Sequence, residues 1–434
     1  MKIHSIKQLT LVAFLSCAAT SVSAFAPTNF FVPYDVNLQL PYPPKDTRAP
    51  FRIGANIEWG DTQDGYNWDA HKRNILQLHD ETQSTIAMLL QPTPEIDTKI
   101  GTVLEDLTAA YPGQPLDDGV RGHIRFVGDF QQIDVTPHVR YILPVDLFKG
   151  NLAIGLYMPV RYAEVYDVGK EDLTESIYAV DYEVQKQLTH DIDAKIKEFG
   201  GPDLGSWSKT GLGDLVLMFD WYNCYTQTER DSLKDVYLHA KAGLTFPTAE
   251  EKDEDKAFSV ALGNDGAWGI PFGIGLDLYF KQKIAFGLDA EFLVLFDQSK
   301  TRRMKTEQYQ TEFFLLNKGN STKDYGLTWK FNVYLQAFRF LGGLSLKFDY
   351  EYLKHDDDKL TPKSDDFSAS IVNTATSLKE YNSHNLIFQL NYDFFDACLT
   401  RSYKPQLSLY YKLPVGGKNI ISSQTVGGQL AVSF

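Results

Sequence analysis

From residue 121 to the C-terminus, apolar side chains return at every second position in runs of about 10–13 residues, a period that only extended strands carry. In 151–162, Leu152, Ile154, Leu156, Met158, Val160 and Tyr162 share one face, with Ala153, Gly155, Tyr157 and Arg161 on the other. In 211–222, Leu215, Leu217, Phe219 and Trp221 oppose Asp214 and Asp220. The same holds for Ile284, Phe286, Leu288 and Phe292 against Asp289 and Glu291, and for Leu344, Leu346, Phe348 and Tyr350 against Lys347, Asp349 and Glu351. It recurs for Leu386, Phe388, Leu390 and Tyr392 against Gln389, Asn391 and Asp393. Strands of soluble sheets cluster at about 5–6 residues, whereas crossing a bilayer takes about 9–11. The alternation and its length together predict an all-β fold: a transmembrane antiparallel β-barrel with an apolar outer face and a polar inner one.

Two further features fit this reading. Aromatic residues fall near strand ends (Trp59, Tyr162, Trp221, Tyr222, Trp268, Trp329 and Tyr411), where interfacial girdles form. The last alternating segment closes on Phe434, which resembles the C-terminal signature of bacterial outer-membrane proteins and implies recognition by the barrel-assembly machinery. From 151 onward the pattern gives ten strands, joined alternately by long and short connections. The outer loops are 163–210, 248–267, 297–324, 354–383 and 414–424; the inner turns are 223–235, 281–283, 341–342 and 396–402. Bacterial barrels have an even strand count, short periplasmic turns and long outer loops. About twelve strands are expected, fourteen being the alternative count. Phe51, Ile53, Ala55, Ile57 and Trp59 make 51–60 the first strand, followed by a long second strand over 121–145. The competing arrangement splits 121–145 at 131–134, where apolar parity switches from even (Ile124, Phe126, Phe130) to odd (Val135, Val139, Tyr141), and leaves 25–120 as a hatch.

The stretch 61–120 is different. Ile75, Leu76, Leu78, Ile86, Leu89 and Leu90, then Ile100, Leu104 and Leu107, have helical spacing interrupted by Pro92 and Pro94. This insertion is expected to plug the barrel mouth, a cap that only shields the rim being the plainer alternative. Residues 1–24 read as a secretory signal, with Lys2 and Lys7, a short apolar core and Val22-Ser23-Ala24 before a cleavage point near Ala24. Residues 25–50 are an N-terminal extension, and the barrel occupies 51–434. Loss of Lys2 and Lys7 takes the net charge from −14 to −16. Cys224 and Cys398 are too few and too far apart for a disulfide scaffold, and unpaired cysteines are the expectation.

Charge and motifs exclude other functions. Mean hydropathy is −0.27 and no apolar run reaches the length of a membrane helix. A net charge of −14 is not that of a nucleic-acid binder. There is no H-E-x-x-H, no G-x-S-x-G elbow and no P-loop lysine motif, so neither an enzyme nor a metal or cofactor site is expected. Gly273-Ile274-Gly275 lies in a strand, where glycine eases barrel curvature. The acidic clusters around Glu250–Lys256 and Asp356–Asp358 lack ordered ligand spacing and read as solvated loop tips.

Gly211-Leu212-Gly213-Asp214-Leu215, followed about thirty residues later by Lys241-Ala242-Gly243-Leu244-Thr245-Phe246-Pro247-Thr248, resembles the outer-membrane channel family named for the MetA-pathway of phenol degradation. That family is related in architecture to the FadL-type transporters of hydrophobic compounds. The resemblance covers roughly 205–300 and implies an outer-membrane channel for small, hydrophobic or amphipathic molecules. The pleat then names the candidate lumen-lining residues. The positive ones are Arg52, Arg125, Arg140, Arg161, Lys241, Lys330, Lys347 and Lys412, with His239 beside Lys241. The negative ones are Glu58, Asp214, Asp220, Asp277, Asp289, Glu291, Asp349, Glu351 and Asp393. Their near balance predicts a passage of weak charge preference, or else a salt-bridge network that fills a narrow barrel. The partners expected are outer-membrane lipid and a small-molecule solute; the competing function is a structural or surface-interaction barrel with a closed lumen.

Overall fold

A computed structural model describes residues 50–90, 97–110, 116–281, 283–394 and 403–434. The signal segment, the N-terminal extension and Cys398 lie outside the described residues. The twelve barrel strands are β1 (Phe51–Thr62), β2 (His123–Leu147), β3 (Gly150–Tyr157), β4 (Leu215–Thr226), β5 (Leu233–Phe246) and β6 (Gly269–Phe280), followed by β7 (Ile284–Leu295), β8 (Thr328–Leu341), β9 (Leu344–His355), β10 (Tyr381–Asp393), β11 (Lys404–Lys418) and β12 (Thr425–Ser433). Each pairs antiparallel with its chain neighbours, and β1 pairs with both β2 and β12, closing a twelve-stranded barrel. The seam is held from its first residue, since Phe434 N donates to Phe51 O at 2.8 Å. Closure removes the free edges that would otherwise template aggregation. A twelve-residue strand rises about 40 Å, and at a tilt of about 40° it spans about 30 Å, the depth of a bilayer's hydrocarbon.

Burial follows the pleat. On β1, Arg52 and Asn56 are buried while Ile53 and Ile57 are exposed; on β12, Gln429 is buried and Val426 and Leu430 are exposed. The outward face is thus the apolar one, as a lipid-facing barrel requires. Tyr222 departs from the girdle expectation. It sits on the inner face, 6% exposed, beneath Arg140.

β2 settles the N-terminal alternatives. It is one strand from His123 to Leu147 and pairs with β1 from Phe130 to Tyr141 without interruption. Even-numbered residues point inward throughout: Ile124, Phe126 and Phe130, then Gln132, Thr136 and His138. The parity switch in the sequence is real, but the strand does not break there. What changes is the surroundings of its inner face, from an apolar loop core at one end to a polar barrel interior at the other. The two-strand version of 121–145 and the hatch built on it are therefore corrected.

Beyond the barrel at the end away from Phe434, the wall stands taller on one side. β3 continues past Met158 and Pro159 as Val160–Asp172, which pairs with the far half of β2. Trp207–Leu212 pairs with it in turn and leads into β4. The long connections fold over this end around one apolar core. Ile75, Leu76, Ile86 and Met88 from the first connection meet Phe126 and Phe130 of β2, together with Val184, Ile196, Phe258, Leu262, Phe313 and Phe314 from the others. The helix expected near 96–110 is present as Asp97–Ala110. The one expected over 74–90 is not continuous. A single 3-10 turn follows Asn74, whose side chain accepts from Leu76 N, and a short helix, Thr85–Leu89, follows Ser84, which accepts from Ala87 N. Between them, Gln83 and Ser84 pair with Ile124 and His123. Caps at Asn74 and Ser84, and strand pairing between them, outcompete the helical spacing.

Candidate functional site

The inner wall of β4 to β9 carries a charged lattice whose members are paired along the wall and extend to Arg140 on β2, Asp393 on β10 and Lys412 on β11. Arg140 on β2 reaches Asp220 on β4 at 3.2 Å and lies over the Tyr222 ring. Lys241 on β5 bonds Glu291 on β7, and Lys330 on β8 approaches the same carboxylate at 3.5 Å. His239 on β5 lies 3.1 Å from Asp289 on β7 and 4.0 Å from Asp277 on β6. The Tyr334 hydroxyl on β8 donates to Asp277. Lys347 meets Asp349 at 3.1 Å and stands 4.0 Å over the Tyr334 ring. Lys412 on β11 meets Glu351 on β9 at 2.8 Å, and Asn385 Nδ2 donates to that carboxylate at 3.0 Å. Arg339 pairs with Asp393 at the Phe434 end, at 2.6 Å.

Several of these pairs skip a strand, and glycine makes that possible. A Cβ built on Gly275 of β6 would fall 2.1 Å from Asp289 Oδ1 and 2.2 Å from the His239 ring. One on Gly273 would touch Lys241 at 3.0 Å and Glu291 at 3.2 Å. Gly287 underlies Tyr334, and Gly427 underlies Tyr410, whose hydroxyl donates to Glu58 on β1. The glycines expected only to ease curvature thus clear a path along the wall, so that long side chains lie flat instead of projecting into the lumen.

Three of the candidate residues have other places. Arg125 is on the opposite face of β2, alongside exposed Val127, and pairs with Glu171 at 2.9 Å on the surface beyond the barrel. Its odd position puts it outside, because β2 keeps even parity inward up to its far end. Arg161 and Asp214 point inward but serve as anchors for an inward-folded connection. Arg161, 1% exposed, bonds Asp134 at 2.7 Å and donates through Nη1 to Leu262 O at 2.8 Å. Asp214 accepts from Ala249 N at 3.1 Å and from Asn264 N at 2.5 Å. The segment they hold, 258–267, is buried at every position except Gly266. Arg52 and Glu58 line the inner face of β1.

The connections also correct the reading of the acidic clusters. Asp358 is not a solvated tip: it receives Lys323 at 2.7 Å and His355 at 2.9 Å, all three nearly fully buried. Burial alone would raise the Asp358 carboxyl, but Lys323 and His355 hold it well below the ordinary carboxylate range. Asp255 bonds Arg303 at 2.8 Å and also Lys318. Where 61–120 meets 297–324, Asp80 accepts from Glu312 N at 2.9 Å, and burial followed by the Glu312 charge pushes Asp80 up to about 7. Cys224 contacts Asp235 at 3.8 Å. Among the described residues no group of three or more metal-ligating side chains comes together.

The charge inventory passed over the uncharged side chains of the same inner parity. Asn56, Thr136, His138, Gln406, Ser408 and Gln429 are all buried on the inner wall of β11, β12, β1 and β2. Their polar alternation with exposed Leu407, Leu409 and Leu430 was the available signal.

No protein-family model and no curated protein sequence matches this chain. Solved structures are similar in architecture. An outer membrane channel from Pseudomonas putida F1 is 12% identical with a TM-score of 0.48, over 91% of this chain and 100% of that one. The Pseudomonas putida toluene transporter TodX is 9% identical with a TM-score of 0.34, over 94% and 98%. A Pseudomonas aeruginosa FadL homologue is 9% identical with a TM-score of 0.28, over 88% of each. The closed barrel of this chain rests on the strand pairing described above.

Proposed function

We propose that this chain is an outer-membrane channel that lets small molecules pass by diffusion through a constricted, polar-lined lumen. The observation that carries the reading is the inner wall of β4 to β9. Together with Arg140 of β2 and Lys412 of β11, its charges pair with one another along the wall, across strands bared by glycine, so the lining is polar without a dominant sign. Residues 61–120 and 258–267 are the proposed constriction, packed into the core at the end away from Phe434. In the cell, the chain is exported with cleavage near Ala24, inserted through recognition of the strand ending at Phe434, and oriented with the long connections outside.

One observation favours a second reading, a structural barrel with a closed lumen. Asn332 and Asn391 are only 1% and 2% exposed, so the inner wall packs closely. Planar-bilayer conductance of the refolded chain separates the two. A channel gives discrete conductance steps, and deletion of 65–115 raises them. No steps from either protein would establish the closed barrel instead.

A further inference from the structure

Opposite the charged lattice, one row of the inner wall is uncharged. The strand registers set Asn391 of β10 against Ser408 of β11, Ser408 against Gln429 of β12, Gln429 against Asn56 of β1, and Asn56 against Thr136 of β2. Five consecutive strands thus place one row of amides and hydroxyls across the wall, each 2–7% exposed. Gln406, 3% exposed, lies one step nearer the Phe434 end, level with Ala431. Charged side chains border this patch: Asp393 of β10, bonded to Arg339, lies level with Gln406, Arg52, Arg140 and Lys404 stand towards Phe434, and Glu58, Asp134 and Lys412 stand on the other side.

The patch has hydrogen-bonding capacity that the protein does not use. Asn391 Nδ2, both head-group atoms of Gln406 and Gln429 Nε2 are buried without a protein partner. Buried amides in folded proteins are almost always satisfied, so these groups are suited to something that enters the lumen. These head groups, on three adjacent strands, offer both donors and an acceptor and carry no charge themselves. A hydrocarbon would leave the amides unsatisfied. The carboxylate level with them, Asp393, is already bonded to Arg339, so an ion would shed its hydration without an available counter-charge. One step beyond the row the Tyr410 ring lies buried along the wall over Gly427, and its hydroxyl lies 3.2 Å from Asn56 Oδ1.

We infer that this sector is a binding site in the passage for uncharged solutes rich in hydroxyl or amide groups, of monosaccharide size. The inference deepens the channel reading and rests on it. It differs from the hydrophobic solute that the sequence resemblance implied.

The test uses the full mature chain in liposomes, with glucose and gluconate as probes of matched size and different charge. Glucose should enter at least about fivefold faster, the worth of about one hydrogen bond. The double variant Asn391→Leu, Gln406→Met keeps side-chain volume and removes the unsatisfied amides. It should bring the two rates together while the variant keeps the heat-modifiable band of a folded barrel on cold SDS gels. Equal entry of glucose and gluconate into parent liposomes, or an unchanged ratio in the variant, would overturn the site and leave the channel standing. No KCl conductance and no solute entry, from either the parent or the 65–115 deletion, would overturn both.

Discussion

His239 on β5 and Asp289 on β7 meet at 3.1 Å across the bare Cα of Gly275 on the strand between them. Strands in a sheet lie about 4.8 Å apart, so side chains two strands away meet only where the middle strand has no side chain in the way. The same relation joins Lys241 to Glu291 over Gly273 and Tyr334 to Asp277 over Gly287. Gly275→Val would drive a branched side chain into both partners. The expected cost is about 1–3 kcal/mol of barrel stability. It should appear as a lower urea midpoint for loss of the heat-modifiable band on cold SDS gels. Ile274→Val, one residue away on the lipid face, should leave that midpoint unchanged.

Asp358 joins the end of β9 to the small sheet formed by Gln298–Arg303, Lys318–Asp324 and Lys359–Pro362. Its carboxylate is the counter-charge of a Lys323 ammonium that is only 2% exposed. Asp358→Asn leaves that ammonium buried and uncompensated, a loss of about 3–5 kcal/mol to the local fold. Trypsin should then cut rapidly at Lys359 and Lys363. Because the folded-state carboxyl sits below its ordinary value, its contribution is present above the unfolded pKa and is lost only as pH falls through the lower folded one. The parent should therefore still resist pepsin at about pH 4, where an ordinary aspartate begins to protonate.

The opposite sign holds at the junction of 61–120 with 297–324. Asp80 is pushed up to about 7 by burial and by Glu312, with His79 and Lys305 also close by. Between about pH 4 and 7 the unfolded segment has lost this proton while the folded one keeps it, so stability falls as pH rises through that window. Nicking within 61–120 by a protease active at both pH values should be at least about tenfold slower at pH 5 than at pH 8, one pKa unit being worth a factor of ten. Asp80→Asn should flatten that dependence.

The barrel was legible in the sequence because one physical rule governs every strand. Neighbouring side chains face different solvents, and this shows as period two whatever the individual residues are. Phe51 to Trp59 and the ten segments after 150 obey it, and the alternation of long and short connections followed. Where the inner surroundings are not water, the rule misled: Phe126 and Phe130 point inward into an apolar loop core, and the parity switch looked like a strand break. The connections were less legible still, because their burial depends on partners distant in sequence. Asp358 is adjacent to two other aspartates, and only the fold brings Lys323 to it. The inner wall was read through its charges. The amides of Gln406 and Gln429 share their parity but carry no such mark.

Arg161 is an inner-wall charge that holds a connection by its backbone, and it offers the most direct handle on opening. Its Nε is 2.7 Å from Asp134 Oδ2, while its Nη1 donates to Leu262 O at 2.8 Å, in the middle of the buried segment 258–267. Asp214 holds the same segment from the other side through Asn264 N. Arg161→Lys keeps the charge but cannot fork between carboxylate and carbonyl. It should free the Leu262 carbonyl while leaving Asp134 neutralised. Amides of 258–267 should then exchange with deuterium faster, and bilayer conductance should rise severalfold. Barrel amides on β11 and β12 should keep their protection. If exchange rises throughout the barrel instead, Arg161 supports the wall and not the closure. If nothing changes, Asp214 alone suffices to hold the segment in place.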